Sequence, residues 1–483
     1  MKKGTQITGA VERMDYPNKG IIRTEEGPVK VACALPGQTV RCSIKKFRSG
    51  SGEGILREVV KKAADETEVP CPHYGKCGGC LYQTFTYAKE LEIKEGQVRR
   101  LIEPVLEAQS SSYEFEPILA SPVYGGYRNK MEYSFGDEYK DGPLALGMHR
   151  RGSMYDIETV VSCNIADADN SLIIRETVDF FAGLNIRYYH KITHIGYLRH
   201  LLVRRTRTGE ILIGLVTSSQ TEMMPVGHSE EDILSGYTGV LRKLEDEGKL
   251  NGSIHGIIHI VNDSVADAVK ADKVDVLYGE DFITEELLGL KFKITPFSFF
   301  QTNTYGAEVL YSKVREYAVS SCSTDGGTIY DLYSGTGTIA QIMAGGFKGE
   351  VIGVEIVEEA VSAACDNARL NGLDNCKFIA GDVLNVLDEL SEKPDLIIID
   401  PPRDGIHPKA LPKIIGYGVD TIIYVSCKTT SLARDLPVFL EAGYEVKKIC
   451  PVDQFPRTGN IEVCCLLEQL KSAKEHIEIT IDA

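Results

Sequence analysis

Cys427 stands in TIIYVSCKTTSLARDL, at the end of an apolar run and directly before a stretch of helical character. The pattern predicts a strand that ends at the cysteine and a helix that begins just after it. A thiol in that position suits one demanding task. The C5 of a pyrimidine is too weak a nucleophile to take a methyl group unaided, whereas thiolate addition to C6 pushes electrons onto C5. The helix N-terminus and Lys428 are expected to favour the thiolate. After transfer the C5 proton must leave, which calls for a base. DQFPRTGNIEVCCLLE offers Glu462, between Ile461 and Val463 on a predicted strand that would desolvate it in part. Taken alone, a single cysteine is more often an inert buried thiol, and Cys365, Cys376, Cys464 and Cys465 are read that way.

A second thiol-rich segment lies far upstream. CPHYGKCGGC sets Cys71, Cys77 and Cys80 apart by five and then two residues, and VVSCNIADADN adds Cys163. Four thiolates can hold zinc or an iron–sulfur cluster, and His73 adds one more possible zinc ligand.

A cofactor site is expected between these segments and the C-terminus. TIYDLYSGTGTIA reads as a strand ending near Asp331, a turn with Gly335 and Gly337, and a helix beginning at Thr338. Glycines there let the backbone approach a ligand, and the helix N-terminus adds partial positive charge. The loop does not have the G-x-G-x-x-G spacing, so by itself it is a weak signal. The next strand, EVIGVE, ends in Glu355, which could accept both hydroxyls of an adenosine ribose. KFIAGDV puts Asp382 after a third strand, where an adenine amino group could be met, and LIIIDPPRDG ends a fourth in Asp400. One such carboxylate would be read as a helix cap or a surface charge. Several at successive strand ends converge on the carboxyl edge of a parallel sheet, where such folds bind ligands. The D-P-P segment fits a nucleic-acid methyltransferase, which must present a planar base to an activated methyl, and has no use in a dehydrogenase.

The elements that must hold these residues divide the chain. Its 483 residues exceed one ordinary domain, and 43% hydrophobic with 25% charged content is that of a soluble globular protein. No apolar run is long enough for a bilayer, and MKKGTQITGA lacks the apolar core of a signal peptide, so a cytoplasmic protein without membrane contact is expected. Thirteen cysteines in such a chain point to buried, ligating or catalytic thiols rather than disulfides. The net charge of −16 argues against a nucleic-acid partner until its distribution is considered. Residues 1–64 carry 13 Lys and Arg against 6 Asp and Glu, a local +7. Within them, short apolar runs alternate with turn residues as in a small antiparallel barrel. Residues 86–108 read as a charged helix, and about 120–285 as an α+β region. In that region Arg199, His200, Arg204, Arg205 and Arg207 form a basic cluster on a predicted strand, read either as a solvated face or as an RNA contact. After residue 290, strand–loop–helix repeats predict βαβ units on a mostly parallel sheet.

The order and spacing of SFFQTNTYGAEVLY, DLYSGTGTIA, GVEIVEEAV, DPPRDG, YVSCKTTSLARDL and FPRTGNIE resemble the S-adenosylmethionine-dependent RNA 5-methyluridine methyltransferases over nearly the whole chain. The resemblance implies a multi-domain fold: an OB-like TRAM barrel at 1–60, an α+β middle domain at 61–285 with an iron–sulfur loop at 71–80 and RNA-contacting strands, and an α/β Rossmann-like class I methyltransferase domain at 286–483. It implies Cys427 as nucleophile and Glu462 as base, with Gln301, Tyr333, Thr338, Glu355, Asp382 and Asp400 lining the cofactor and uracil pocket. It also implies a 4Fe–4S cluster on Cys71, Cys77, Cys80 and Cys163, ahead of zinc. The radical S-adenosylmethionine spacing C-x3-C-x2-C is not matched, so a structural or RNA-contacting role is expected for the cluster. GYRNKMEYSFG and YLRHLLVRR also match the family. One departure is recorded: many members carry a histidine two residues before the glutamate, where this chain has Asn460. The expected substrate is a flipped uridine in structured RNA, 23S ribosomal RNA ahead of transfer RNA, methylated by a monomer. The other readings weighed are a non-catalytic RNA-binding assembly factor, against which the intact Cys427, Asp400 and Glu462 argue, and a DNA cytosine-C5 enzyme, which would leave the barrel unexplained.

Overall fold

The computed structural model describes residues 1–265, 271–322, 325–390 and 392–470, so 471–483, the end of the expected 286–483 domain, lie outside the described residues. The chain forms two compact units. The first takes Met1–Lys94, Ala120–Glu308 and Asp453–Asn460; the second takes Glu95–Leu119, Val309–Val452 and the segment beginning at Ile461.

The first unit begins with β1 (Gln6–Asp15), β2 (Lys19–Thr24), β3 (Gly27–Ala32), β4 (Thr39–Arg48) and β5 (Ser51–Lys61), closed into a barrel in the order β1-β2-β3-β5-β4. Alternate residues Val29, Val31, Val40 and Cys42 point inward onto Val11, Ile22 and Ile44, while Lys30 and Arg41 face solvent. This is the small N-terminal barrel that the turn spacing predicts. Helix α1 (Tyr87–Leu106) and a short strand that belongs to the second unit, β6 (Glu114–Phe115), follow in the chain.

The same unit contains β7 (Lys130–Asp137), β8 (Leu144–His149), β9 (Ile157–Thr159), α2 (Ala168–Gly183), β10 (Leu198–Arg205), β11 (Glu210–Thr217), α3 (Glu230–Asp246), β12 (Ser253–Val261) and β13 (Lys273–Gly279). Their seven strands run β13-β12-β11-β10-β7-β8-β9, with β11 and β12 parallel across the α3 crossover. Helix α3 starts in a capping box, Ser229 with Asp232, and buries Tyr237 against Phe180 and Phe181 of α2. The pair β14 (Ile283–Leu287) and β15 (Leu290–Ile294) completes the strands of this unit.

Strand β10 corrects the reading of the basic cluster as a solvated face. It lies between β7 and β11, and Arg199, His200 and Arg204 are buried. Arg199 donates to the carbonyls of Asn262 (2.6 Å) and Ser264 (2.8 Å) and lies over the Tyr189 ring. Arg204 donates to the carbonyls of Pro296 and Ser298, and burial lowers its pKa to about 10. Arg205 pairs with Asp167 and Asp169, and Arg207 with Glu308. The guanidiniums are engaged by internal acceptors.

After α4 (Thr304–Ser321), the second unit alternates strand and helix: β16 (Thr328–Leu332), α5 (Thr338–Ala344), β17 (Glu350–Glu355), α6 (Glu358–Leu370), β18 (Cys376–Ala380), α7 (Val383–Glu389), β19 (Leu396–Ile399), α8 (Ala410–Gly416), β20 (Thr421–Ser426), α9 (Thr429–Glu441), β21 (Tyr444–Val452) and β22 (Glu462–Gln469). The eight strands run β18-β17-β16-β19-β20-β22-β21-β6. β18 through β20 in that order are parallel, and β22 inserts antiparallel between β20 and β21. Residues 396–399 (LIII) and 421–426 (TIIYVS) are buried throughout, as expected for strands covered on both faces. Cys464 and Cys465 are buried on β22, but Cys365 and Cys376 keep partial exposure. No helix among the described residues is long and apolar enough to cross a membrane.

Candidate functional site

The strand order reverses between β16 and β19, and a parallel sheet opens a ligand crevice at such a switch point, beyond the strands' carboxyl ends. Five of the expected site residues stand at that edge. β16 ends into Tyr333, Gly335 and Gly337, all with positive φ (66°, 55° and 74°), so the chain folds back tightly before α5. A Cβ at Gly337 would collide with the Phe378 ring, which is why the loop can pack there only as glycine. Glu355 spans the loop and the following turn: its Oε2 accepts from Gly335 N and its Oε1 from Val357 N, each at 3.0 Å. Asp382 caps α7 by accepting from Leu384 N at 2.9 Å. Burial, followed by the Asp382 and Asp435 charges, raises the Tyr333 hydroxyl to about 12. Thr338 opens α5 and is buried. Asp331 is buried and accepts from Ala340 N at 2.9 Å; burial and the Asp400 and Glu355 charges raise its carboxyl well above the usual range.

Cys427 and Glu462, the expected nucleophile and base, come opposite each other in the β20–β22 register. Ser426 pairs with Val463, so one further step sets Cys427 opposite Glu462. Ile399 pairs with Tyr424, which carries Asp400 along the same edge. These groups perturb one another. Burial lifts the Cys427 thiol to about 12, helped by the Glu462 and Asp400 charges and opposed by Arg403. Glu462, only 3% exposed, is raised to about 8 by burial and by Asp400, again opposed by Arg403. Asp400 keeps a partly exposed edge, yet desolvation raises it to about 7.

Lys428, expected beside the thiol, has its Nζ 3.6 Å from Asp404, and a cation that lowers the Cys427 pKa is Arg403. Arg403 was in view within DPPRDG, but nothing local pointed it at the thiol.

Gln301 belongs to the first unit. There its carbonyl accepts from Asn129 Nδ2 at 2.9 Å; the same amide donates to Thr304 Oγ1, which in turn donates to Glu285.

The first unit also holds a cavity of about 460 Å³ that brings Cys71, Cys77, Cys80 and Cys163 together. Arg128, Lys130 and Arg204 line it too, with His73, Phe299 and Asn460. Burial raises the Cys77, Cys80 and Cys163 thiols, Cys80 to about 12, and neighbouring thiols add to each. Among the described residues, no group of three or more His, Cys, Asp or Glu is drawn in closely enough to hold a metal ion.

Known proteins resemble this chain at both levels. A family described as a methyltransferase domain matches residues 323–456. An uncharacterized RNA methyltransferase of Caldanaerobacter subterraneus subsp. tengcongensis is 45% identical over 470 residues, spanning 97% of this chain and 100% of that one. Another, of Clostridium tetani, is 43% identical over 463 residues, spanning 96% and 97%. The solved tRNA (uracil-54, C5)-methyltransferase of Pyrococcus abyssi, in complex with S-adenosyl-L-homocysteine, matches with a TM-score of 0.72 over 95% of this chain and 100% of that one. At 23% identity that likeness is one of fold.

Proposed function

Because the chain belongs to the RNA methyltransferase family, we propose that it forms 5-methyluridine at a specific uridine of a structured RNA, with S-adenosylmethionine as methyl donor. The observation that carries this reading is the β20–β22 register, with a thiol opposite a buried carboxyl at the sheet edge. Cys427 adds to uracil C6, and the electron pair released onto C5 takes the methyl group. Glu462 then accepts the C5 proton; the C5–C6 double bond re-forms and the thiolate leaves. A carboxyl held near 8 is a base matched to proton removal close to neutral pH. Arg403 is the cation that favours the thiolate, and Asp400 is a polar neighbour for the ring.

Tyr333, Thr338, Glu355, Asp382 and Asp400 are the residues that would hold the donor. They fit it: the positive-φ turn gives close backbone approach, and each Glu355 oxygen, having accepted one backbone N–H, retains a lone pair for a ribose hydroxyl. When bound, S-adenosylmethionine supplies the electrophilic methyl.

The four-cysteine cavity is where the 4Fe–4S cluster is proposed, on its donor types alone, four thiols and a cationic wall suited to an anionic group, since no three of the described ligands are drawn in closely enough to hold a metal ion. Cys71, Cys77, Cys80 and Cys163 would hold it, and when bound it supplies a crosslink between the 71–80 loop and the turn at 163. The barrel, with Lys30, Arg41 and Lys45 outward, is the proposed TRAM-type RNA-binding module. The barrel and four-cysteine set together support 23S ribosomal RNA as the substrate.

RNA carrying 5-fluorouridine tests the chemistry, because fluorine replaces the proton that Glu462 must remove. With S-adenosylmethionine, a denaturant-resistant protein–RNA adduct is expected; its absence in the wild-type protein overturns the mechanism. Mapping 5-methyluridine in RNA from a deletion strain tests the substrate, and loss from transfer RNA alone would redirect the assignment.

A further inference from the structure

Two segments of the second unit are joined by contacts that the proposed chemistry leaves unused. Loop 400–406, DPPRDGI, leaves β19 and carries Arg403, whose charge acts on both the Cys427 thiol and the Glu462 carboxyl. Helix α9 starts two residues after Cys427 and carries Ser431, Arg434 and Asp435, spaced i, i+3 and i+4 and therefore on one face. Each grips the loop. Ser431 Oγ donates to the Arg403 carbonyl at 2.8 Å, and the Arg434 guanidinium donates to the Asp404 carbonyl at 2.7 Å. Asp435 Oδ2 accepts from Ile406 N at 3.0 Å and from the Tyr424 hydroxyl at 2.8 Å, while its Oδ1 is held by Arg434 at 2.7 Å. Ser431, Asp435 and Tyr424 are buried, and Tyr424 lies on β20, three residues before Cys427. Gly405 makes the fit possible. Its φ is 78°, its N–H closes a turn onto the Pro402 carbonyl at 2.7 Å, and a Cβ there would strike the Arg434 and Asp435 side chains. The Lys428–Asp404 pair beside the same loop is largely exposed and adds little.

We propose that Ser431, Arg434 and Asp435 are positioning residues: they fix the backbone at and beyond Arg403 and so aim its guanidinium at Cys427. The influence of a cation on a thiol falls with distance, and an arginine on an unheld loop samples many distances. Because α9 also begins just beyond Cys427, one helix ties the sulfur and its cation into a single frame.

This inference rests on the reading of Cys427 as nucleophile, which the 5-fluorouridine adduct judges separately, with Arg403 as the cation that favours its thiolate. The test reads the rate at which iodoacetamide alkylates Cys427 in the full-length protein at pH 9, followed on the Cys427 peptide by mass spectrometry. Well below the thiol's pKa that rate is proportional to the thiolate fraction. Arg403→Gln should slow it about tenfold, and Ser431→Ala and Gly405→Ala several-fold. Ser431→Thr, which keeps the hydroxyl, should restore the wild-type rate. A merely structural slackening has the opposite sign, since opening the loop exposes the sulfur and speeds alkylation. Ser431→Ala added to Arg403→Gln should slow the reaction no further, because the grip works through the arginine. Unchanged or faster alkylation in Ser431→Ala and Gly405→Ala, with Arg403→Gln slow, overturns the proposal, and so does further slowing in the double variant. If Arg403→Gln itself leaves the rate unchanged, the reading of Arg403 as the thiolate's cation fails, and the positioning role falls with it. Should Gly405→Ala not fold, Ser431→Ala carries the same outcomes.

Discussion

Cys427 and the cavity cysteines meet the same first effect and opposite second ones. Burial raises the thiols in both places, to about 12 for Cys427 and for Cys80. Around Cys427 the further charges are mainly carboxylates, Glu462 and Asp400, with Arg403 opposing. Around Cys71, Cys77, Cys80 and Cys163 the wall includes Arg128, Lys130 and Arg204. The difference matches two demands on sulfur. The proposed nucleophile needs its thiolate only when the bond forms and when it breaks, and Arg403 is the neighbour that favours that form. The proposed ligand set would have to remain deprotonated, and cations beside it lower the cost.

The comparison breaks most decisively at Cys427. Cys427→Ala should reduce methyl incorporation by ~10⁴-fold or more and abolish the 5-fluorouridine adduct, since the covalent route is removed. If the adduct persists, another residue is the nucleophile. Glu462→Gln should slow turnover by about 10²–10⁴-fold while the adduct accumulates on ordinary uridine RNA, visible as a shifted band on a denaturing gel. Normal turnover in this variant would assign the base elsewhere.

Cations within the first unit give the next effect. Arg204→Met strands the Pro296 and Ser298 carbonyls and should cost ~3 kcal/mol in urea unfolding. The salt dependence of RNA binding should not change, because this guanidinium is buried; a shallower slope would instead identify a phosphate contact.

Smaller pH effects sharpen the carboxylate side. Glu462 ionises near 8, and its charge raises the Cys427 thiol. Glu462→Gln should therefore speed alkylation of Cys427 by iodoacetamide several-fold at pH 9, with the difference vanishing below about pH 6. Stability has its own sign. A carboxyl raised on folding contributes fully below its unfolded value, near 4.3 on an ordinary scale of about that magnitude, and loses that contribution as pH rises through 8. The melting temperature of Glu462→Gln should thus exceed that of the wild type by a few degrees at pH 9 and match it near pH 4. A constant gap across that range would argue that packing, not charge, dominates.

How much of this was legible depends on range along the chain. The barrel could be read because its strands are short and their turns local. The parallel sheet could be read because its strand–loop–helix repeats are local too. The burial of the β10 arginines was not legible, because charged residues on a strand suggest a face open to solvent. β10 is a central strand whose arginines find carbonyls and carboxylates from distant segments. His73 is legible as a possible ligand, but Glu158, 3.3 Å from its Nδ1, lies far along the chain and carries no motif.

The sequence by itself determined the residue types, their strand-end positions and their order, because glycine turns, apolar runs and capping residues act over a few bonds. Only the tertiary structure decided which of them face each other. Insertion of β22 between β20 and β21 sets Glu462 against Cys427, and the cavity gathers Cys163 with the 71–80 loop. Both depend on non-local pairing, and so do the pKa values that follow, since burial and the charge across the gap are properties of packing rather than of any local segment.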